Sequence, residues 1–184
     1  MRVPFVALNK EAKLIKKELL NITDEILDSG NYILGKYLNS FENSFANYVG
    51  SKYALGVGNG SDALTLILKS LKIKRGDEVV CPANSFIASA WAIVAAGAKP
   101  VFCDVDEDLL ISLDNIKKVL SKRTKAVIIV HLTGRTCDLE EINKFCRNRE
   151  IYVIEDAAQA IGASCPNGNV GSLGIAAGFS LHPL

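Results

Sequence analysis

The sequence lacks an excess of either charge: 21 basic residues against 20 acidic ones leave a net charge of +1. Without a strong field, nothing in the balance points to nucleic acid or to an anionic membrane surface as partner. No apolar run is long enough to span a bilayer, and the N-terminus lacks the charged-then-apolar order of a signal peptide. Histidine is scarce, with only His131 and His182, which leaves little material for a metal site. The five cysteines (Cys81, Cys103, Cys137, Cys146 and Cys165) form no C-x-x-C pair and are odd in number. That pattern predicts reduced, mostly buried thiols in a cytoplasmic protein and neither a disulfide framework nor a bound metal. Internal repeats, low-complexity segments and linkers are absent as well.

What is present is a chain of 184 residues, 49% hydrophobic, enough for a sizeable core. An amphipathic helix is predicted from near Lys10 to Ser29, with Ile15, Leu19, Ile22 and Ile26 on one stripe and Gly30 ending it. The loop after it carries Ile33 and Leu34, which are expected to pack against something. A second helix presents Phe41, Phe45 and Tyr48 and stops at Gly50. Tyr53–Val57 reads as a short strand. It leads into Gly58-Asn59-Gly60-Ser61-Asp62 and a helix bearing Leu64, Ile67, Leu68 and Leu71. Strands and helices then alternate. The strands are Glu78–Cys81, Val101–Cys103 and Ala126–Val130; the helices are Ser85–Ala96, one bearing Ile116, Val119 and Leu120, and one capped by Asp138 with Glu141. This alternation predicts one α/β domain with a mainly parallel sheet flanked by helices.

The next strand, Ile151–Ile154, is apolar throughout, as a strand covered on both faces must be, and it runs into Glu155-Asp156. Ligands of open α/β sheets sit outside the carboxyl ends of the strands. Asp156 is therefore a carboxylate presented by a rigid element at the expected ligand edge. The turn at 58–62 suits a phosphate, because free N–H groups and the helix dipole both favour an anion there. Ser61 and Asp62 are equally good N-cap residues, so a plain capped turn is the alternative.

Three familiar chemistries fit poorly. The glycine-rich turn breaks the dinucleotide fingerprint, with Ser61 at the third glycine and Cys81-Pro82 where an acidic ribose ligand would stand. Ser180 and His182 lie two apart but without a nucleophile-elbow pattern. His131, at the end of a buried strand, is expected to be structural.

Taken together, a series of motifs resembles the first half of the DegT/StrS family of pyridoxal-phosphate (PLP) sugar aminotransferases. The motifs are Tyr32–Gly35, Phe41-Glu42, Gly58–Leu64, Gly76–Val80, Pro82–Ala88, Gly97–Phe102, Val130–Gly134, Glu155–Ala160 and Phe179–Pro183, in family order from about Pro4 onward. The resemblance implies the PLP-dependent transferase fold type I, like aspartate aminotransferase. Residues 1–184 would form its cofactor-binding large domain, truncated and without the small C-terminal domain. By the same resemblance Asp156 pairs with the pyridine nitrogen of PLP, and Gly60, Ser61 and Asp62 hold the phosphate with a second hydroxyl from Ser180. Phe86 stacks on the ring and Gln159 sits near the phenolic oxygen.

The implied reaction moves an amino group, from glutamate, to a keto sugar linked to a nucleotide, in a cytoplasmic homodimer that builds amino sugars for surface polysaccharide or similar glycans. Alternatives within the resemblance are a PLP-dependent deoxysugar dehydratase and a non-catalytic chain. Two departures stand out. Ile175 occupies a position where the family often has an acidic residue, and the family's Schiff-base lysine would follow Leu184. For the chain as given, weak reversible cofactor binding, little activity alone and marginal solubility are the corresponding expectations.

Overall fold

A computed structural model of the chain describes residue 4 and residues 6–182. Pro183 and Leu184, which end the last motif of the resemblance, lie outside the described residues. Two helices lead the chain, α1 (Leu8–Ser29) and α2 (Lys36–Val49), followed by α3 (Gly60–Ser70). Strands and helices then alternate: β1 (Glu78–Pro82), α4 (Ala88–Ala95), β2 (Lys99–Cys103), α5 (Leu113–Val119), β3 (Thr124–Val130), α6 (Leu139–Arg147) and β4 (Tyr152–Asp156). A small antiparallel pair, β5 (Ser164–Cys165) and β6 (Gly168–Asn169), precedes β7 (Ala176–Gly178).

Five strands pair in the order β2-β1-β3-β4-β7, and every pairing is parallel. The expected parallel α/β architecture is therefore present. Side chains alternate between faces along a strand, and both faces are covered here. On one face, Leu64, Leu68 and Ile93 of α3 and α4 meet Val79, Ile128 and Ile154. On the other, Ile116 and Ile142 of α5 and α6 meet Val80, Val127, Ile129 and Val153. Fully buried aliphatic side chains of this size each contribute roughly 1.5–3 kcal/mol. The sheet is thus a stiff base from which loops at the strand ends can be positioned. The chain reverses its winding direction between β1 and β3, and in open parallel sheets ligands bind beyond the carboxyl ends of the strands around such a switch point.

Local signals set the helix ends. Gly30 and Gly50 close α1 and α2 in the left-handed conformation, and the Asp138 side chain accepts from the Glu141 N–H at 3.1 Å to start α6. Three expectations are corrected. Tyr53–Val57 is not a strand: its backbone has no ladder partner, and it is held by the Gly56 N–H donating to Glu42 Oε1 of α2 at 2.7 Å. Ile33 and Leu34, expected to pack, are instead mostly exposed among the described residues, at 86% and 73%, and Tyr32 beside them is 67% exposed. The helix expected over 85–96 begins only at Ala88, because the chain turns through 83–87 after leaving β1.

The stripe on α1 is real, yet the helix buries none of its residues. The α2 stripe is partly core: Phe45 meets Phe179 edge-on with ring centroids 5.0 Å apart, while Tyr48 stays mostly exposed. Among the described residues no helix is long and apolar enough to cross a membrane. All five cysteines are free; Cys81, Cys103 and Cys146 are buried, and burial pushes the Cys81 thiol up to about 12.

Candidate active site

Asp156 is the last residue of β4 and is 6% exposed. Its Oδ2 accepts from the Ser89 hydroxyl at 2.8 Å, and its Oδ1 accepts from the Ala158 N–H at 3.3 Å. Burial pushes the carboxyl above its usual range, while the Ser89 and Ala158 donors and the charge of His131 pull it back. A carboxylate that has accepted two hydrogen bonds keeps lone pairs that can accept from a protonated ring nitrogen. The Asp156 carbonyl also accepts from the His131 N–H at 3.1 Å, which ties the ends of β3 and β4 together.

The turn before α3 is built around Asn59. Its Oδ1 accepts from the Asp62 N–H at 2.9 Å, and its Nδ2 donates to Asp62 Oδ2 at 2.9 Å. The N-cap is therefore Asn59, and neither Ser61 nor Asp62 fills that role. Asp62 spends its carboxylate on the cap. The first N–H groups of the helix, at Gly60 and Ser61, have no intrahelical acceptor available to them. Gly60 lies against the segment after β7: a Cβ there would stand 3.2 Å from the Phe179 carbonyl oxygen and 3.2 Å from Ser180 Cβ. Ser180, predicted from the far end of the chain, is thus brought beside Gly60 and Ser61. Its Oγ accepts from the His182 N–H at 3.2 Å. The segment after β7 and the N-terminus of α3 thus form a small cradle in which Ser180 lies beside the free N–H end of a helix, an arrangement that can hold an anion.

Residues 13–184 match the model of the DegT/DnrJ/EryC1/StrS aminotransferase family. The chain belongs to that family. It is 46% identical over 180 residues to dTDP-3-amino-3,6-dideoxy-alpha-D-galactopyranose transaminase of Aneurinibacillus thermoaerophilus, a match that covers 97% of this chain and 49% of that protein. The structure of S. venezuelae DesV in complex with a ketimine intermediate superposes with a TM-score of 0.90 at 37% identity, covering 93% of this chain and 46% of that one. A DegT DnrJ EryC1 StrS aminotransferase from Brucella abortus gives 0.91 at 30% identity, covering 99% and 51%. The chain spans about half the length of the curated relatives it matches.

In this member of the DegT/DnrJ/EryC1/StrS family the other predicted residues lie at the same sheet edge. Phe86 sits in the loop between β1 and α4 and is 72% exposed, so it is not a core side chain. Gln159 follows β4, and its Oε1 accepts from the Thr133 N–H at 2.9 Å. Two contributors, Ser89 and Glu155, were not anticipated, and a third, His131, fills the structural role expected of it. Ser89 lies in the first turn of α4 and is 1% exposed against Asp156; four-residue spacing from Ser85 was its only sequence signal. Glu155 is the other. His131, expected to be structural, is fully buried, and its Nε2 lies 3.0 Å from Glu155 Oε2. Glu155 also accepts from the N–H groups of Gly171, Leu173 and Gly174 at 2.8, 2.9 and 2.7 Å. The loop leading into β7, and hence to Ser180, is wrapped around one buried carboxylate. An acidic residue inside a buried strand was the sign that such donors must exist.

Proposed function

We propose that the chain is the cofactor-holding part of a PLP-dependent aminotransferase that acts on a keto sugar linked to a nucleotide. The observation that carries this reading is the placement of two features at the ends of the paired strands β4 and β7: the buried Asp156 carboxylate, whose Cα partner is Gly178, and Ser180 just beyond it, which lies against Gly60 at the start of α3. Residues that suit the two poles of PLP stand at one sheet edge, in a member of an aminotransferase family.

On this reading the N–H groups of Gly60 and Ser61 and the hydroxyls of Ser61 and Ser180 bind the phosphate. Asp62 contributes its backbone and its cap. Asp156 holds the proton on the pyridine nitrogen. Phe86 covers one ring face and Gln159 lies toward the phenolic oxygen. The bound cofactor supplies an electron sink for the amino-bearing carbon. The protein's own work is to orient that ring, to keep its nitrogen protonated and to exclude water from Asp156. The amino donor is glutamate and the product an amino sugar for glycan biosynthesis.

Residues 1–184 would be the large domain of a longer cytoplasmic enzyme that works as a homodimer. The exposed apolar side chains of α1 and the loop after it, Leu14, Leu20, Leu27 and Ile33 among them, are what a subunit contact would cover. The test is spectroscopic. The protein expressed from its full reading frame, mixed with PLP and then with glutamate, should show the cofactor's absorbance band shift as the amino group is taken up. No change on adding glutamate would sink the reading.

A further inference from the structure

Asp156 has more support than a ligand residue at a strand end requires. Ser89 donates to its Oδ2 at 2.8 Å, and the Ser89 oxygen in turn lies 2.8 Å from the hydroxyl of Ser85. Ser89 is 1% exposed, while Ser85 is only half-buried. The three groups therefore form a chain that runs from the surface, through the first turn of α4, to the buried carboxylate. A hydroxyl carries one proton. If Ser89 gives that proton to Asp156, only the lone pairs of its oxygen face Ser85. Ser85 can then donate inward in place of its contact with the Phe86 carbonyl at 3.2 Å. The chain is polarised in the direction that favours a charged Asp156.

We propose that Ser89 is a positioning residue for Asp156: its hydroxyl fixes the orientation of the carboxylate and keeps it ionised inside the protein. The inference rests on the reading that Asp156 faces the pyridine nitrogen, and it names what makes that contact possible. Burial opposes ionisation of Asp156, and Ser89 is the foremost group working against burial. The Ala158 N–H and the charge of His131 act in the same direction. Glu155, the adjacent residue on β4, points to the other face of the strand and spends its oxygens on the 171–174 loop. No other element offers Asp156 a hydroxyl among the described residues.

The experiment is a carboxyl titration by 13C NMR on the ligand-free chain, with the Asp156 signal assigned by its loss in D156N. S89A should raise the Asp156 midpoint by about one pH unit, the size expected for losing a hydrogen bond to a charged group. S89T should leave it within a few tenths of a unit, since the hydroxyl is retained. S89C, a near-isosteric replacement with a weak donor, should behave like S89A and decides the matter if S89A does not fold. A midpoint unchanged in S89A or S89C, or one that moves as far in S89T, overturns the proposal. PLP affinity of D156N, measured separately, tests the underlying reading. Unaltered affinity there with a shifted midpoint in S89A would remove the pyridine contact and leave the Ser89 role standing.

Discussion

The imidazole Nε2 of His131 and the carboxylate of Glu155 lie 3.0 Å apart with neither side chain exposed to solvent. Around that contact the protein gathers three further donors, from Gly171, Leu173 and Gly174. The ends of two neighbouring strands are joined to the loop that delivers Ser180. Replacing Glu155 by Gln leaves one acceptor oxygen and places an amide N–H against other donors. E155Q should lose about 2–4 kcal/mol of stability in urea unfolding at neutral pH. A loss under about 0.5 kcal/mol would mean that the loop does not depend on the carboxylate.

The two acidic neighbours should respond to pH in opposite senses. Burial alone would raise the Glu155 carboxyl, but His131 and the three N–H donors outweigh it and hold the group below its ordinary 4.5. Its contribution to stability is complete above the unfolded value and is lost as pH falls through the lower folded value. Asp156 is raised by burial above its ordinary 3.8, so its ionisation costs stability as pH rises through that range. D156N should therefore raise the urea midpoint of the ligand-free chain at pH 7, with the gain shrinking as pH falls toward about 4. A gain that grows in acid would contradict the assignment.

Gly60 tests the cradle. A Cβ at this position would crowd the Phe179 carbonyl and Ser180 Cβ, both 3.2 Å away. Alanine at a first-turn position is otherwise at least as good a helix former as glycine. G60A should lower PLP affinity about tenfold or more while stability stays within about 1 kcal/mol. Unchanged affinity in an absorbance titration would move the phosphate elsewhere.

Gly171 tests the loop itself. Its φ is +96°, a conformation that residues with a Cβ rarely adopt, and an added Cβ would run into the Phe179 ring. G171A should cost on the order of 2–3 kcal/mol in urea unfolding. It should weaken PLP binding as well, because Phe179 precedes Ser180. Stability lost without any change in binding would separate the loop from the site.

Much of this was legible in the sequence. The apolar strands, the helical stripes and the glycines that close α1 and α2 are local signals, and β1, β3, β4 and α6 fell close to where the pattern placed them. The motif series, which carries more information in its fixed order than any one turn, singled out Asp156, Ser61, Ser180 and Gln159 as candidates; their roles toward a cofactor are part of the proposed function. Tyr53–Val57 was misread because its alternating pattern is that of a strand, while a ladder requires a neighbour that the described residues do not supply. The Asn59 cap was missed because Ser61 and Asp62 offer the same capping chemistry two and three residues later. Ser89 and Glu155 carried only faint signals, and neither signal named its partners. Their partners lie 67 residues away in one case and 16 to 24 in the other. Such pairings exist only once the parallel strands are in register.

The account stands on where PLP binds. The most direct test is a titration of the 15N-labelled chain with PLP, followed by backbone amide shifts. The amides of Gly60, Ser61 and Ser180 should move together with those of Asp156 and Ala158, and with a single affinity. A basic crevice lined by Lys72, Lys74, Lys125 and Arg147 offers an anion a different place. Shifts confined to that crevice, or none at the Gly60 cradle and the β4 end, would contradict the account.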